Sequence, residues 1–238
     1  MAARVTRSFD GVVFDLFGTL VPEFSKSDFF ERTRSMAQVL GADPDAFVEQ
    51  WNRTAIARQT GGFPDVESNV RAICEALDVR IDEAALTQAL EIRLALYRRW
   101  FHPRPGAVET LRTCCERGYR TALISMCAPD APAMWRASDL SPFVDVEVFS
   151  SEVGLRKPDP EIYRYTSERM GVAPSACLYV GDGAYGELSG AASVGMTPYL
   201  IADPEVDAAE QLTPEPDEWN GARVADLRDL LRLLPARR

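Results

Sequence analysis

The sequence contains a single histidine, His102, and its five cysteines form no CxxC pair. Structural zinc sites are built from closely spaced Cys and His ligands, so no zinc site is expected. The first ten residues also lack the apolar core of a signal peptide. We therefore predict a cytoplasmic protein whose thiols are reduced.

Positive charge is in deficit, because 26 Lys and Arg residues stand against 36 Asp and Glu residues and give a formal net charge of −10. Such a chain repels the phosphate backbone of nucleic acids, so nucleic acid is not expected as a partner. No uncharged apolar stretch approaches the about 18 residues of a membrane span, so no membrane association is expected. A small anionic substrate remains compatible, since it responds to the local field of its pocket. We expect a monomer or a homodimer.

The hydrophobic pattern changes character along the 238 residues. Residues 11–15 form a short apolar run that ends in a carboxylate, which is typical of a buried parallel strand. Apolar residues then recur at helical spacing in four stretches between about 27 and 101. After 106 the pattern alternates between strands and helices. Strands are predicted near 119–125, 144–149, 177–181 and 197–201, and helices near 106–117, 131–138, 159–170, 187–194 and 226–234, with an exposed loop at 203–220.

This alternation predicts an α/β fold with a doubly wound parallel sheet. The first strand must join that sheet, because alone it cannot satisfy its backbone hydrogen bonds. The helical block is then an insertion. We predict an α/β core domain formed by 1–20 and 103–238, and a four-helix domain formed by 21–102.

Four polar side chains follow the carboxyl ends of the predicted strands or the loops beside them, namely Asp15, Ser125, Lys157 and Asp182. In such sheets ligands bind beyond these ends, near the point where the strand order reverses. Each residue alone has an ordinary reading as a cap, a turn residue or a surface lysine. Their joint placement predicts one pocket.

These residues resemble the four motifs of the haloacid dehalogenase superfamily of hydrolases. The resemblance rests on residues 15–20 (DLFGTL), Ser125, Lys157 before the segment PDP, and Asp182 after Gly181. It covers essentially the whole chain, and it implies a Rossmann-like core with the helical insertion as a cap domain.

The resemblance also implies roles for individual residues. Asp15 matches the nucleophile, and Ser125 and Lys157 match the residues that bind the transferring group, assisted by the backbone N–H groups of Leu16, Phe17 and Gly18. A Mg²⁺ ion would be held by Asp15, the Phe17 carbonyl and Asp182. Glu187 would ligate that ion through water or orient Lys157; a first-turn Glu that complements a helix N-terminus is the competing interpretation.

Phe17 departs from the family's phosphatases, which usually carry a second Asp there as general acid and base. Family dehalogenases carry an aromatic residue at this position, because halide needs no proton to leave. Those dehalogenases, however, replace the last acidic motif and work without Mg²⁺, whereas Asp182 is kept here. The alternatives are therefore a Mg²⁺-dependent phosphatase on a small phosphorylated metabolite, a metal-independent hydrolase of C–halogen or strained C–N bonds, and a protein without catalysis.

Three other residues are weaker candidates. Cys127 lies near the predicted pocket, and a packed thiol is the simpler interpretation. His102 lies at the predicted hinge and is the only imidazole able to replace a missing acid. Phe63 sits in a glycine-broken loop between two helices of the insertion, where it either reaches the core pocket as a substrate contact or packs in its own bundle.

Overall fold

The computed structural model describes residues 9–201, 210–212 and 219–236. Six strands form one sheet in which every paired strand runs parallel, in the order β3-β2-β1-β4-β5-β6. The strands are β1 (Gly11–Phe14), β2 (Arg120–Ser125), β3 (Val146–Phe149), β4 (Cys177–Gly181), β5 (Thr197–Ile201) and β6 (Arg223–Val224). The predicted α/β class with a parallel sheet is confirmed, and the strand order reverses between β1 and β4.

The insertion between β1 and β2 is entirely helical. It contains α1 (Lys26–Leu40), α2 (Pro44–Arg53), α3 (Ala55–Gln59), α4 (Val66–Ala76) and α5 (Glu83–Trp100). Several of these helices are capped at the N-terminus by the side chain of the preceding residue. In α2, for example, Asp43 accepts a hydrogen bond from the N–H of Ala46 at 2.9 Å. The insertion has its own buried cluster, which includes Phe47, Trp51 and Ile73. Its separation as a domain at 21–102 remains a prediction.

The second predicted helix is divided at Thr54, so the fully described stretch 21–102 holds five helices where the pattern predicted four. The Thr54 hydroxyl donates to the carbonyl oxygens of Gln50 at 3.0 Å and Trp51 at 3.1 Å. Arg58 also donates to the Trp51 carbonyl, at 3.1 Å. The Trp51 carbonyl therefore accepts from two side chains where the helix divides, while the Gln50 carbonyl still accepts the backbone N–H of Thr54 at 3.0 Å.

The remaining helices are α6 (Ala107–Glu116), α7 (Ala131–Arg136), α8 (Ser150–Val153), α9 (Pro160–Met170) and α10 (Glu187–Ser193). The pattern missed α8 and the two-residue strand β6, since elements this short carry no periodicity. The predicted last helix is a 3₁₀ helix at Leu227–Arg232, with Asp226 as its N-cap. The predicted loop 203–220 lies mostly outside the described residues.

Apolar side chains fill both faces of the sheet, so the strands lie in the centre of the molecule. Along β1, Val12 and Phe14 join the cluster that packs on α6, while Val13 joins the cluster that packs on α9 and α10. Burial on both faces leaves only the strand ends open to chemistry. Within the described residues, no helix combines the length and the hydrophobicity that crossing a bilayer demands.

Candidate active site

Asp15 directly follows the central strand β1, and its backbone N–H donates to the carbonyl oxygen of Val180 on β4 at 2.9 Å. This bond places the carboxylate at the point where the strand order reverses. The side chain is buried, with 6% of the residue exposed. Its Oδ1 accepts a hydrogen bond from Lys157 Nζ, whereas its Oδ2 is buried with no hydrogen-bond partner among the described residues. This oxygen is therefore open to a metal ion or a substrate.

Lys157 is buried, and its ammonium group lies between two carboxylates. Nζ donates to Asp15 and, at 2.5 Å, to Oε2 of Glu187. Burial alone would lower the pKa of Lys157, but the negative charges of Asp15 and Glu187 outweigh it and raise that pKa above its usual value. The ammonium is therefore charged across the physiological pH range, in contact with the predicted nucleophile.

Glu187 is fully buried at the start of α10, and both of its oxygens accept hydrogen bonds from the protein. Tyr179 donates its hydroxyl to Oε2 at 2.6 Å, and the N–H of Gly183 donates to Oε1 at 3.0 Å. Gly181 leaves the space for this carboxylate, because a Cβ there would overlap Oε1. The geometry suits Glu187 to orienting Lys157. The sequence analysis missed Tyr179, whose position inside an apolar strand resembles any core tyrosine.

Asp182 follows β4 and is held against the loop after β1. Its Oδ1 accepts a hydrogen bond from the N–H of Ala184 at 2.9 Å. Gly18 has φ +78°, and a Cβ there would overlap Oδ2 of Asp182. Glycine is therefore required at this position for two reasons: the left-handed backbone and the close approach of the Asp182 carboxylate. The Gly18 carbonyl accepts a hydrogen bond from Arg104, which fixes the loop.

The site carries an excess of negative charge. Carboxylate oxygens of Asp15, Asp182 and Glu187 lie within 4.8 Å of one another, and Lys157 is the ammonium among them. Burial, followed by the charge of Glu187, raises the pKa of Asp15 to about 7, although Lys157 opposes this. Burial and the charges of Glu187 and Asp15 also raise the pKa of Asp182 well above its ordinary value. Together with the unpartnered Oδ2 of Asp15, this donor set fits a hard divalent cation.

Ser125 ends β2, beside the central strand, and is completely buried. Its hydroxyl has no hydrogen-bond partner among the described residues. A buried hydroxyl without a partner costs free energy, typically about 1–3 kcal/mol, unless a ligand satisfies it. This observation supports the predicted contact with a substrate oxygen, although the contact itself remains a prediction.

Phe17 follows Asp15 by two residues, and its ring packs on three aromatic side chains. The ring centroids lie 5.0 Å from Phe24, 6.0 Å from Phe101 and 6.3 Å from Tyr97. Leu16 is buried in the core, so the side chains of Leu16 and Phe17 bring no polar group to the site. Any contact of the 16–18 loop with an anion must use its backbone.

A cavity of about 210 Å³ opens from Asp15 toward the helical insertion. Its walls include Asp15, Phe17, Phe24, Phe29, Phe30, Arg58, Arg93, Tyr97, Cys127 and Tyr185. Phe63 is not among the residues that line this cavity, and its contact with a substrate remains a prediction. The glycine loop reaches the core elsewhere: a Cβ on Gly61 would lie 3.2 Å from the carbonyl oxygen of Ser151 on α8. The backbone of this loop thus lies close to α8.

Two buried arginines of the insertion, Arg58 and Arg93, face this cavity, and the sequence analysis missed both. Burial, with the nearby charge of Arg93, lowers the pKa of Arg58 to about 9. Burial also acts on Arg93, but the Asp130 carboxylate outweighs it and raises the pKa of Arg93. The sequence of α5 did contain an indication that Arg93 is buried, because Arg93 interrupts a stripe of apolar residues at helical spacing.

Neither Cys127 nor His102 has the surroundings of a catalytic group. Burial raises the pKa of the Cys127 thiol to about 12, so the thiol is protonated and a poor nucleophile. His102 is exposed and does not line the cavity. The packed-thiol interpretation agrees with the burial of Cys127, and the place of His102 at a hinge remains a prediction.

Comparison with known proteins places the chain in a family. A model of haloacid dehalogenase-like hydrolases matches residues 9–195. Ribulose-1,5-bisphosphate 5-phosphatase of Halopiger xanaduensis is 29% identical over 214 residues, which are 84% of this chain and 87% of that protein. (S)-2-haloacid dehalogenase 4A of Burkholderia cepacia is 26% identical over 201 residues, 82% of this chain and 83% of that protein. The crystal structure of a phosphatase from Thermococcus onnurineus matches with a TM-score of 0.65 and 22% identity, and covers 97% of this chain and 100% of that one.

Proposed function

Because this chain belongs to the haloacid dehalogenase-like hydrolases, we propose that it is a Mg²⁺-dependent phosphatase that acts on a small phosphorylated compound. The observation that carries the proposal is the cluster of buried Asp15 and Glu187 with half-buried Asp182, whose negative charge the ammonium of Lys157 only partly neutralises. Carboxylates this close repel one another, and a bound cation would relieve that repulsion. The phosphatase among its relatives also supports this reaction.

In the proposed reaction the Asp15 carboxylate attacks phosphorus in line with the leaving oxygen. A bond forms between Asp15 and phosphorus, and the bond to the leaving oxygen breaks, with its electron pair passing to that oxygen. Water then hydrolyses the aspartyl phosphate and restores the carboxylate. Lys157 and Ser125 bind phosphoryl oxygens and stabilise the charge that develops on them. Asp15, Asp182 and the Phe17 carbonyl would hold Mg²⁺, which supplies further charge stabilisation.

The test measures release of p-nitrophenol from p-nitrophenyl phosphate, with Mg²⁺ and with EDTA. This leaving group needs little acid catalysis, so the absence of an acidic side chain at Phe17 does not hide activity. We expect turnover that requires Mg²⁺. Halide release from 2-chloropropionate in EDTA, without phosphatase activity, would contradict the proposal.

The second candidate function is metal-independent hydrolysis of a C–halogen bond through an ester on Asp15. The observation that favours it is the aromatic packing of Phe17, which leaves no acidic side chain two residues after Asp15 to protonate a leaving group. A dehalogenase among its relatives agrees with this candidate. The retained Asp182 opposes it, because without a cation this carboxylate only adds repulsion to the site.

Replacing Phe17 with Asp tests whether a missing acid limits the proposed phosphatase. We expect kcat/KM for an alkyl phosphate to rise relative to that for p-nitrophenyl phosphate, by about 10²-fold or more if the carboxyl acts as a general acid. Phe17→Asn is the matched control, since it loses the same aromatic packing without gaining an acid. If the ratio of kcat/KM for the alkyl phosphate to kcat/KM for p-nitrophenyl phosphate is the same in Phe17→Asp and Phe17→Asn, an acid at this position does not supply the proton.

Replacing Asp182 with Asn tests the metal site by stability as well as activity. In the metal-free protein at pH 8 the substitution removes one of three crowded carboxylates, so we expect the melting temperature to rise by about 3–6 °C. The increase in melting temperature on adding Mg²⁺ to the wild type should disappear in the variant. Asp45→Asn, at an exposed carboxylate of α2, should keep the Mg²⁺ effect. A Mg²⁺ effect that persists in Asp182→Asn would contradict the assigned ligand.

A further inference from the structure

Two buried guanidinium groups, Arg58 on α3 and Arg93 on α5, line the same cavity as Asp15. We propose that they form a subsite for a second oxyanion, a carboxylate or phosphate, on the part of the substrate that does not react. The inference rests on the proposed function in placing the reacting phosphoryl group at Asp15. It adds that the substrate carries negative charge at both ends.

Arg93 has an unused donor inside the protein. Its Nε donates to Oδ2 of Asp130 at 2.8 Å, and its Nη2 donates to the hydroxyl of Tyr97 at 3.1 Å. Its Nη1 is buried and has no hydrogen-bond partner among the described residues, while the residue is only 5% exposed. A charged donor buried without a partner is costly, and a ligand oxygen in the cavity would satisfy it.

Arg58 is held so that part of its guanidinium group stays free for a ligand. Its Nη1 donates to the Asn69 side chain at 2.7 Å, to the Trp51 carbonyl at 3.1 Å and to the Thr54 hydroxyl at 3.2 Å. The hydrogen bonds of Arg58 to described residues all use Nη1, so Nε and Nη2 remain as donors. The guanidinium carbon lies 4.0 Å from the centroid of the Trp51 ring, and that of Arg93 lies 5.4 Å from the same ring. Both groups are thus fixed on one indole, in rigid positions.

The charges around this subsite do not balance. Asp130 is ion-paired with Arg93, whereas Arg58 has no ion pair with any described residue. Besides Asp15, the carboxylate that lines the cavity is Glu23. The charge of Glu23 raises the pKa of Asp182 and of Tyr185, so Glu23 lies near those two residues. The proximity of two guanidinium groups is reflected in the lowered pKa of Arg58, to about 9, after burial. A bound oxyanion would supply the missing negative charge and form charge-assisted hydrogen bonds with both residues.

The experiment compares non-hydrolysable phosphonates by isothermal titration calorimetry in saturating Mg²⁺. The probes are 3-phosphonopropionate, which adds a carboxylate, 1,2-ethylenediphosphonate, which adds a second phosphonate, and propylphosphonate, which adds no charge. In the wild type we expect at least one of the two probes with a charged tail to bind about tenfold more tightly than propylphosphonate, as one to two charged hydrogen bonds provide. The preferred tail identifies the oxyanion.

In Arg93→Gln and in Arg58→Gln the preference for the charged tail should fall to about one. Arg98→Gln, on the exposed face of α5, is the matched control and should keep the full preference. If the melting curve shows that Arg93→Gln does not fold, Arg93→Lys replaces it in the test, because lysine retains a cation opposite Asp130. Arg93→Lys should lose part of the preference for the charged tail. An equal preference in the wild type and the arginine variants would overturn the subsite.

The same measurement separates failure of the subsite from failure of the proposed function. If propylphosphonate binds and the charged tail gives no advantage, the phosphoryl site stands and the subsite is overturned. If no phosphonate binds, the phosphoryl assignment fails, and the subsite is tested with 2-chloropropionate by thermal shift. If 2-chloropropionate binds the wild type but not the Arg58 and Arg93 variants, the subsite is supported. If it binds the wild type and the variants equally, the subsite is overturned.

Discussion

Replacement of Asp15 with Asn is expected to lower kcat for p-nitrophenyl phosphate by about 10⁴-fold or more, as removal of other enzymatic nucleophiles does. The amide keeps the shape of the carboxylate but not its nucleophilic oxygen, so the covalent intermediate cannot form. The assay is release of p-nitrophenol under single-turnover and steady-state conditions in Mg²⁺. Mass spectrometry of acid-quenched wild-type protein should detect a phosphoryl adduct on Asp15, and the variant should show none.

The matched control for this prediction is Asp159→Asn, which removes an exposed carboxylate that pairs with Arg156 outside the site. We expect its kcat to stay close to that of the wild type. Retention of more than a few per cent of the wild-type kcat in Asp15→Asn, with a normal melting curve, would show that another group attacks the substrate. A phosphoryl adduct on any other residue would lead to the same conclusion.

Replacement of Lys157 with Met should have the largest effect on stability. The ammonium is buried between Asp15 and Glu187, and its removal leaves both carboxylates without their counter-charge. Breaking a buried ion pair in this way typically costs about 3–5 kcal/mol of unfolding free energy. Denaturant unfolding in EDTA measures this loss. Activity should fall as well, because Lys157 no longer stabilises charge on the transferring group.

The chain contains its own control for this substitution, since its only other lysine, Lys26, is exposed at the start of α1. We expect Lys26→Met to change the unfolding free energy by less than about 0.5 kcal/mol. Adding Glu187→Gln to Lys157→Met should recover part of the lost stability, because one uncompensated carboxylate is removed. A loss in Lys157→Met no larger than that in Lys26→Met would mean that the ion pairs contribute little and that the carboxylates are neutral in the folded protein.

The charged site shows how far sequence reasoning extends. Asp15 and Asp182 each follow a short apolar run, and that pattern alone predicted that both would lie at the carboxyl edge of one sheet. The structure brings their carboxylates within 4.8 Å of each other and of Glu187. The competing roles of Glu187 were not separable from the sequence, since they depend on Tyr179 and Gly183, whose donors occupy both oxygens. Those contacts are made by folding and leave no local pattern.

The sequence by itself determined the elements and the residues at their ends, because hydrophobic period, capping residues and glycine conformation act within a few positions of the chain. It therefore predicted β1, the helical character of the insertion and the placement of Asp15. Only the tertiary structure decided which side chains face the cavity. Phe63 is not among the residues that line it, while Arg58 and Arg93, which lie 35 positions apart on two helices, meet over Trp51. The physical reason is that the orientation of a side chain across a cavity is set by the packing of whole helices against one another, and a single chain pattern carries no information about that packing.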